Sequence, residues 1–408
     1  MGLNRVVVTG AGAVTPYGRG VAGMMAGLAA GKSCVVRMEG WENQGGLKSL
    51  VAAPAPLSGE KAIPRQKRRS MSRVSIFAVQ AAEDAMADAG LKAGDIPSDR
   101  IGCIIGSTLG SASAISEFYE TFIPVRDISV IPSMLFFKSM AHTAAMNVAQ
   151  YLDLKGYVMA TCAACASGLQ AIGTGYDLLK LGVQDALLCG GSEELHPSVT
   201  GIFDLLFATS TRYNDSPQKT PRPFDADRDG IVCGEGAGIV VLETLDHARS
   251  RGARILAEVA GYNTGGSGDH VSQSNRESVT RCMRKTMEDA GVGKGELDYV
   301  SAHATATVQG DQAEAEAICD VAGDAVPVSG LKGHIGHTLG ASGAIELIAT
   351  IGMMRSGTII PGLNLEKVAP ECAVINHVRK PLSRELKVVM KNCFAFGGVD
   401  AALILKKA

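Results

Sequence analysis

Short apolar runs recur along the chain, separated by longer stretches whose apolar positions fall three or four apart. Val6–Thr9, Ile101–Ile105, Ala186–Cys189, Ile239–Leu242, Tyr299–Ala302, Val326–Val328 and Val388–Met390 read as buried strands. Met71–Ala89 and Ser278–Ala290 carry apolar residues at helical spacing, and Gly291 closes the second as a helix stop. Strands alternating with helices predict an α/β protein with a largely parallel sheet covered by helices. Ala401–Lys406 reads as a return strand after a Gly397-Gly398 turn.

The pattern repeats once. Ala166-Ser-Gly opens an apolar helical stretch that ends at Gly182, and Ala341-Ser-Gly opens another of the same length that ends at Gly357. Small residues at a helix start permit close packing. The echo therefore predicts two α/β halves, each bringing one helix to a shared centre. Coincidence is the competing reading, because Ala-Ser-Gly is a common string. No Pro-, Ser- or charge-rich linker parts the halves, so they should pack as one body.

Composition narrows the picture. The chain has 408 residues, 46% hydrophobic and 20% charged, with 49 glycines, as suits a soluble globular protein. A net charge of −2 predicts neither nucleic acid nor a membrane surface as a partner. The most apolar long segment, Thr338–Met354, contains Glu346 and several glycines, which argues against a membrane span. The first strand follows the N-terminus without a signal peptide, so the expectation is a cytoplasmic protein. Its ten cysteines then read as buried thiols and one nucleophile, not as a disulfide framework.

The candidate nucleophile is Cys165, in Thr161-Cys-Ala-Ala-Cys-Ala-Ser-Gly168 just ahead of the first echo helix. A thiol at a helix N-terminus feels the positive end of the dipole, which favours thiolate. Cys162 completes a Cys-x-x-Cys string, yet no second ligand pair suggests zinc. Ser301-Ala-His-Ala-Thr-Ala-Thr307 follows a strand, so His303 should face the crevice where α/β proteins bind ligands. Lys332-Gly-His-Ile-Gly-His337 should open the second echo helix, giving His337 a place like that of Cys165. Asn392-Cys-Phe-Ala-Phe-Gly-Gly398 could present backbone N–H groups to an oxyanion, or be an ordinary hairpin turn. Arg222–Asp225 and Asp229–Gly238 read as structural turns. Thr9-Gly-Ala-Gly lacks the third glycine and the later acidic residue of a dinucleotide fingerprint.

These motifs together resemble the β-ketoacyl-acyl-carrier-protein synthases of the elongating type, members of the thiolase-like superfamily. The resemblance runs from Val6-Val-Val-Thr-Gly-Ala-Gly to the final strand. It rests most on Ala164-Cys-Ala-Ser-Gly168, His303–Thr307 with Gly310-Asp-Gln-Ala-Glu314, Lys332–His337 and Phe394-Ala-Phe-Gly-Gly398. It implies a thiolase-like duplicated α-β-α-β-α layered fold, with residues 1–252 carrying the nucleophilic cysteine and 253–408 the two histidines. It implies an acyl group carried on Cys165, with His303 and His337 acting on the malonyl thioester. Lys332 and Glu314 would form a supporting ion pair. Phe396 would gate the site, and its N–H with that of Cys165 would form an oxyanion hole. Thr305, Thr307 and Ser272 would contact the phosphopantetheine arm of the carrier, which serves as substrate carrier in place of a separate cofactor. No metal is expected.

The resemblance also implies an acyl- or malonyl-loaded acyl carrier protein as partner and a homodimer, with Val130–Phe137 at the subunit boundary. Met134, Phe136, Phe137 and Ile202 are candidate acyl-pocket walls. Arg65, Lys67, Arg68, Arg69 and Arg212 are candidates for docking an acidic carrier. Departures from the family pattern are Ala304, Ala306, Ser301, Val399-Asp400 and the segment around His270-Val-Ser-Gln-Ser. They point to a paralogue with an unusual substrate or partner. Some family members hold a cation near positions matching Ser301, Glu346 and Asn392, and Lys391 is expected to replace it. Alternatives are a specialised polyketide or lipid ketosynthase, a non-catalytic chain-length partner, and a thiolase, for which Cys393 stands in the wrong register.

Overall fold

The apolar runs become strands of one 12-stranded sheet. In chain order these are β1 (Val6–Thr15), β2 (Gly18–Arg19), β3 (Ile101–Gly106), β4 (Val158–Met159), β5 (Ala186–Glu193), β6 (Gly236–Thr244), β7 (Ala257–Gly266), β8 (Tyr299–Ser301), β9 (Pro327–Ser329), β10 (Asn376–His377), β11 (Val388–Ala395) and β12 (Val399–Lys406). The computed structural model describes residues 2–92, 94–272 and 275–408. The strand order is β10-β9-β8-β11-β12-β7-β1-β6-β5-β3-β4, with β2 paired to β1.

That order contains a repeat. The first half runs β1-β6-β5-β3-β4 and the second β7-β12-β11-β8-β9, so corresponding strands take corresponding places. Directions repeat too. β3 is parallel to β4 and β5, as β8 is to β9 and β11, while the next two pairings in each half are antiparallel. The halves join where Val6–Val8 of β1 pairs with Ala257–Val259 of β7. The sheet is thus mixed, not largely parallel. A continuous apolar run reports burial on both faces and carries no direction. Strand β7 was not foreseen, because polar residues and glycines interrupt its apolar positions.

Five helices define the layers: α1 (Arg73–Asp88), α2 (Ser167–Lys180), α3 (Arg276–Ala290), α4 (Val308–Ala322) and α5 (Ser342–Ser356). Helix α1 covers the outer face of the first half, and α3 with α4 covers that of the second. The echo helices α2 and α5 lie between, touching both halves and each other, which makes an α-β-α-β-α stack. The small residues at their starts are required there. A β-carbon on Gly168 would stand 2.6 Å from the Gly340 carbonyl oxygen, and one on Gly343 would stand 2.8 Å from Leu169 Cβ. The glycines after the first strand have a packing cause as well. A β-carbon on Gly12 would lie 2.0 Å from the Ala81 carbonyl of α1, so this stretch continues β1 and forms no phosphate loop. Among the described residues no helix is long and apolar enough to cross a membrane.

Candidate active site

Cys165 sits two residues ahead of α2, after Ala164 in a left-handed conformation (φ 45°). Its Sγ is 2.9 Å from His337 Nε2, and its carbonyl accepts a bond from Cys393 Sγ at 3.0 Å. Burial pushes the Cys165 thiol up, the neighbouring Cys393 adds to this, and Lys332 opposes it. Desolvation thus works against the thiolate expected at a helix start. Burial disfavours the charged form of both partners, the Cys165 thiolate and the His337 imidazolium. Cys162 points elsewhere and donates to the Thr108 carbonyl at 3.3 Å.

His303 follows β8 in a loop pinned from two sides. Its backbone N–H and that of Ala304 donate to the Glu314 carboxylate at 2.8 and 2.7 Å. Lys332 Nζ donates to the His303 carbonyl and lies 3.4 Å from His303 Nδ1. Ala304 and Ala306 both adopt left-handed φ, 41° and 67°, where a β-carbon is strained.

His337 does not open the second echo helix. Lys332–Ile335 forms a short helix of its own, and α5 begins only at Ser342. In the echo alignment the partner of Cys165 is Gly340. The His337 backbone is clamped on both sides: its N–H donates to the Val232 carbonyl at 2.7 Å, and its carbonyl accepts from Gly234 N at 2.8 Å. The Asp229–Gly238 segment, expected only to supply turns, thus cradles a site residue. The imidazole rings of His303 and His337 are 5.3 Å apart at 81°. Both are held well below the ordinary histidine value, first by burial and next by the Lys332 ammonium, not by a helix dipole.

Lys332 does not pair with Glu314. Its Nζ donates to Glu346 Oε1 at 2.7 Å, while Glu314 is committed to the His303 loop and to Asn392 Nδ2 at 3.2 Å. Both acidic residues lie on helices near the site, and the side that each helix turns inward decides which one meets the lysine. The other Glu346 oxygen is 2.6 Å from Lys391 Nζ, so Lys391 does meet that carboxylate as expected. Both lysines are fully buried.

Cys165, His303, His337, Glu314, Thr305, Thr307 and Phe396 line one inner cavity of about 30 Å³. Phe203, not foreseen, closes it with its ring 5.9 Å from that of Phe396. On the outer side of Phe396 lies a cleft of about 380 Å³ that Ser272 and Thr307 also line. Thr305 and Thr307 hydroxyls are 3.0 Å apart. Gln273 and Ser274 of the loop expected to bind pantetheine lie outside the described residues. Met134, Phe136, Phe137 and Ile202 do not line the inner cavity; Phe136 and Ile202 are exposed.

Glu193 was also missed. It ends β5, accepts bonds from Thr108 N and Gly340 N at 2.8 and 2.9 Å, and ties the two halves together beside the thiol. Burial raises its carboxyl to about 7, against the pull of those hydrogen bonds. The Cys165, His303 and His337 ligand atoms all lie within 4.8 Å of one another, a spacing that could hold a metal ion. The adjacent Lys332 and Lys391 ammoniums oppose a dication there.

Residues 3–248 match the model of the beta-ketoacyl synthase N-terminal domain, and residues 256–366 that of its C-terminal domain. The chain is 35% identical over 407 residues, 99% of both chains, to 3-oxoacyl-[acyl-carrier-protein] synthase 1 of Escherichia coli. It superposes on the crystal structure of a beta-ketoacyl synthase from Burkholderia phymatum with a TM-score of 0.95, at 42% identity over 99% of this chain and 100% of that one. A type II polyketide ketosynthase solved with its acyl-carrier protein gives a TM-score of 0.92 at 30% identity, over 100% of each chain.

Proposed function

The chain belongs to the beta-ketoacyl synthase family, and from that premise we propose that it condenses an acyl group on Cys165 with malonyl-acyl carrier protein, releasing CO₂ and giving a β-ketoacyl-acyl carrier protein in fatty-acid biosynthesis. The observation that carries this reading is the meeting of one buried thiol with two imidazoles kept neutral by their surroundings.

The chemistry divides into two transfers. Sγ of Cys165 attacks the acyl thioester carbonyl, its proton passes by way of His337 Nε2 to the departing carrier sulfur, and the acyl group stays on the enzyme. The malonyl carrier then takes the vacated arm site. Its C–C bond to the carboxylate breaks, and the electron pair becomes an enolate whose oxygen is held by N–H groups of His303 and His337. The enolate carbon attacks the acyl carbonyl on Cys165. Backbone N–H groups of Cys165 and Phe396 hold the resulting oxyanion, and its collapse expels the thiolate, which takes up one proton from solvent to restore the thiol. Neutral imidazoles suit this because they donate without quenching the carbanion early.

Lys332 and Glu314 act through His303, the first at its carbonyl and the second at its N–H. Phe396 stands between the inner cavity and the outer cleft, where Ser272, Thr305 and Thr307 would meet the pantetheine arm, and no further cofactor is required. Residues 1–252 supply the nucleophile and 253–408 the histidines. A homodimer is supported by an apolar face along Ala112–Val125 that exposes Ile115, Tyr119 and Ile123, and by the exposed edge strand β4. The location is cytoplasmic.

The test is mass spectrometry of Cys165 after incubation with a mixed pool of acyl carrier proteins, followed by malonyl carrier. Acyl-Cys165 that converts to β-ketoacyl carrier is expected. An unmodified Cys165 would overturn the reading and favour a non-catalytic partner.

A further inference from the structure

Lys391 lies within β11 with its side chain fully buried. Its ammonium is enclosed by oxygen. It donates to the carbonyls of Asn392 at 2.6 Å, Ala302 at 3.3 Å and Ser301 at 3.5 Å, and it stands 2.6 Å from Glu346 Oε2. Those four oxygens come from three places: β11 itself, the end of β8 leading into the His303 loop, and α5. A buried ammonium is costly unless it is fully compensated, and an apolar side chain would suit the interior of a strand better.

The loop that it grips has a particular need. Ala304 and Ala306 occupy left-handed backbone that a β-carbon disfavours. The loop's N–H groups are held from one side, by Glu314 at His303 and Ala304 and by Asp311 at Ala306. Its carbonyls are held from the other, by Lys332 at His303 and by Lys391 at Ser301 and Ala302. Lys391 is also the junction between this loop, the carboxylate of α5, and the strand that runs on to Phe394 and Phe396.

We propose that Lys391 is a positioning residue: a tethered cation that fixes the base of the His303 loop against Glu346 and β11, and so sets His303 opposite His337 for the malonyl decarboxylation step. The inference rests on the condensing activity proposed above. It assigns Lys391 to decarboxylation and not to acyl loading, because its contacts are on the His303 side of the site.

The experiment compares Lys391→Met, which keeps the bulk without the charge, with Lys391→Ala, which leaves the oxygen cage open. Three quantities are read: decarboxylation of malonyl carrier, acylation of Cys165 by mass spectrometry, and thermal unfolding. Decarboxylation by Lys391→Met is expected to fall on the order of 10²-fold, the scale of a misplaced catalytic group, with Cys165 acylation little changed. Potassium or ammonium ions should restore Lys391→Ala, whose cage can admit them, and not Lys391→Met. Unimpaired decarboxylation by Lys391→Met, loss of both steps in proportion, or the absence of cation recovery would overturn the proposal. Should both variants unfold, the wild type is assayed in potassium, sodium and choline chlorides at equal ionic strength. Equal rates agree with a built-in cation, and dependence on an alkali ion overturns it. Wild type run in parallel separates the two readings, since a wild type that never decarboxylates malonyl carrier refutes the condensing function itself.

Discussion

Glu346→Gln removes one negative charge from between two buried ammoniums. The wild-type carboxylate stands 2.7 Å from Lys332 Nζ and 2.6 Å from Lys391 Nζ, with all three side chains almost inaccessible. At an effective dielectric of about 20, each attraction amounts to about 6 kcal/mol before desolvation is subtracted. Loss of one partner from a buried pair leaves a net cost of about 3–5 kcal/mol. With unfolding entropy of roughly 2.1 cal/mol/K per residue, that corresponds to a fall in Tm of about 4–6 °C for a chain of this length. The assay is a double-mutant cycle in urea unfolding. Lys332→Met with Glu346→Gln should show coupling of about 2–3 kcal/mol, whereas Lys332→Met with Glu314→Gln should show no more than about 1 kcal/mol. Glu314→Gln has its own cost of about 1–3 kcal/mol, because one buried N–H of the His303 loop loses its acceptor. Equal coupling in the two cycles, or a Glu346→Gln protein within about 1 kcal/mol of wild type, would refute the Lys332–Glu346 pairing.

Cys165→Ala should abolish condensation yet retain malonyl decarboxylation, while His303→Ala or His337→Ala should lose decarboxylation by on the order of 10²-fold and still allow some acyl loading; a Cys165→Ala protein that makes β-ketoacyl product would end that division of labour. Because burial and Lys332 keep both imidazoles neutral, decarboxylation by Cys165→Ala should stay level between about pH 5.5 and 8.5, and an acid limb centred near the ordinary histidine value would contradict this. His334 is fully buried with neither ring nitrogen bonded, and burial lowers it to about 4. The unfolded chain therefore takes up a proton on His334 that the fold refuses as pH falls from about 6.5, so stability is lost on acidification; relative to His334→Leu, wild type should lose about 3 kcal/mol between pH 7 and 4 by urea unfolding. Lys67 donates to the carbonyls of Gln150 and Tyr151 and Arg68 to that of Glu60, so Arg65 and Arg69 are the exposed members of the Arg65–Arg69 cluster whose side chains have no hydrogen-bond partner among the described residues. Arg65→Glu with Arg69→Glu should raise the KM for carrier protein, more so at low salt, and spare a small pantetheine thioester.

What could be read from the chain alone follows the kind of information each residue carries. Cys165, His303 and His337 were legible as a group because packing alone rarely demands reactive side chains at loop ends beside glycine-rich turns. The two-fold repeat was legible because Ala-Ser-Gly recurs where the two helix starts must nearly touch, with Gly168 against Gly340 and Gly343 against Leu169. Strand direction was not legible, since apolar runs look alike in parallel and antiparallel pairs. The partner of Lys332 was not legible either. Glu314 and Glu346 both sit on helices near the site, and the choice between them depends on helix rotation, which the mostly apolar α5 leaves unmarked. Glu193 was invisible for another reason. A glutamate at a strand end normally faces water, and only the close approach of the second half buries it.

The charges around the site explain how neutral histidines and a reactive sulfur can coexist in one dry pocket. Burial by itself disfavours every ion: it raises the Cys165 thiol and lowers both imidazoles. Lys332 and Lys391 break that symmetry, because both ammoniums act on the histidines and Lys332 acts on the thiol as well. Both ammoniums oppose imidazolium and lower His303 and His337 further, and Lys332 draws Cys165 back toward thiolate. The same field would favour the enolate oxygen left by decarboxylation and the oxyanion that follows. Anions on sulfur and oxygen are thus assisted where a cation on nitrogen is resisted, and neither effect needs a proton to move. Lys391 adds to that bias at the histidines and not at the sulfur, which agrees with its place on the decarboxylation side of the site.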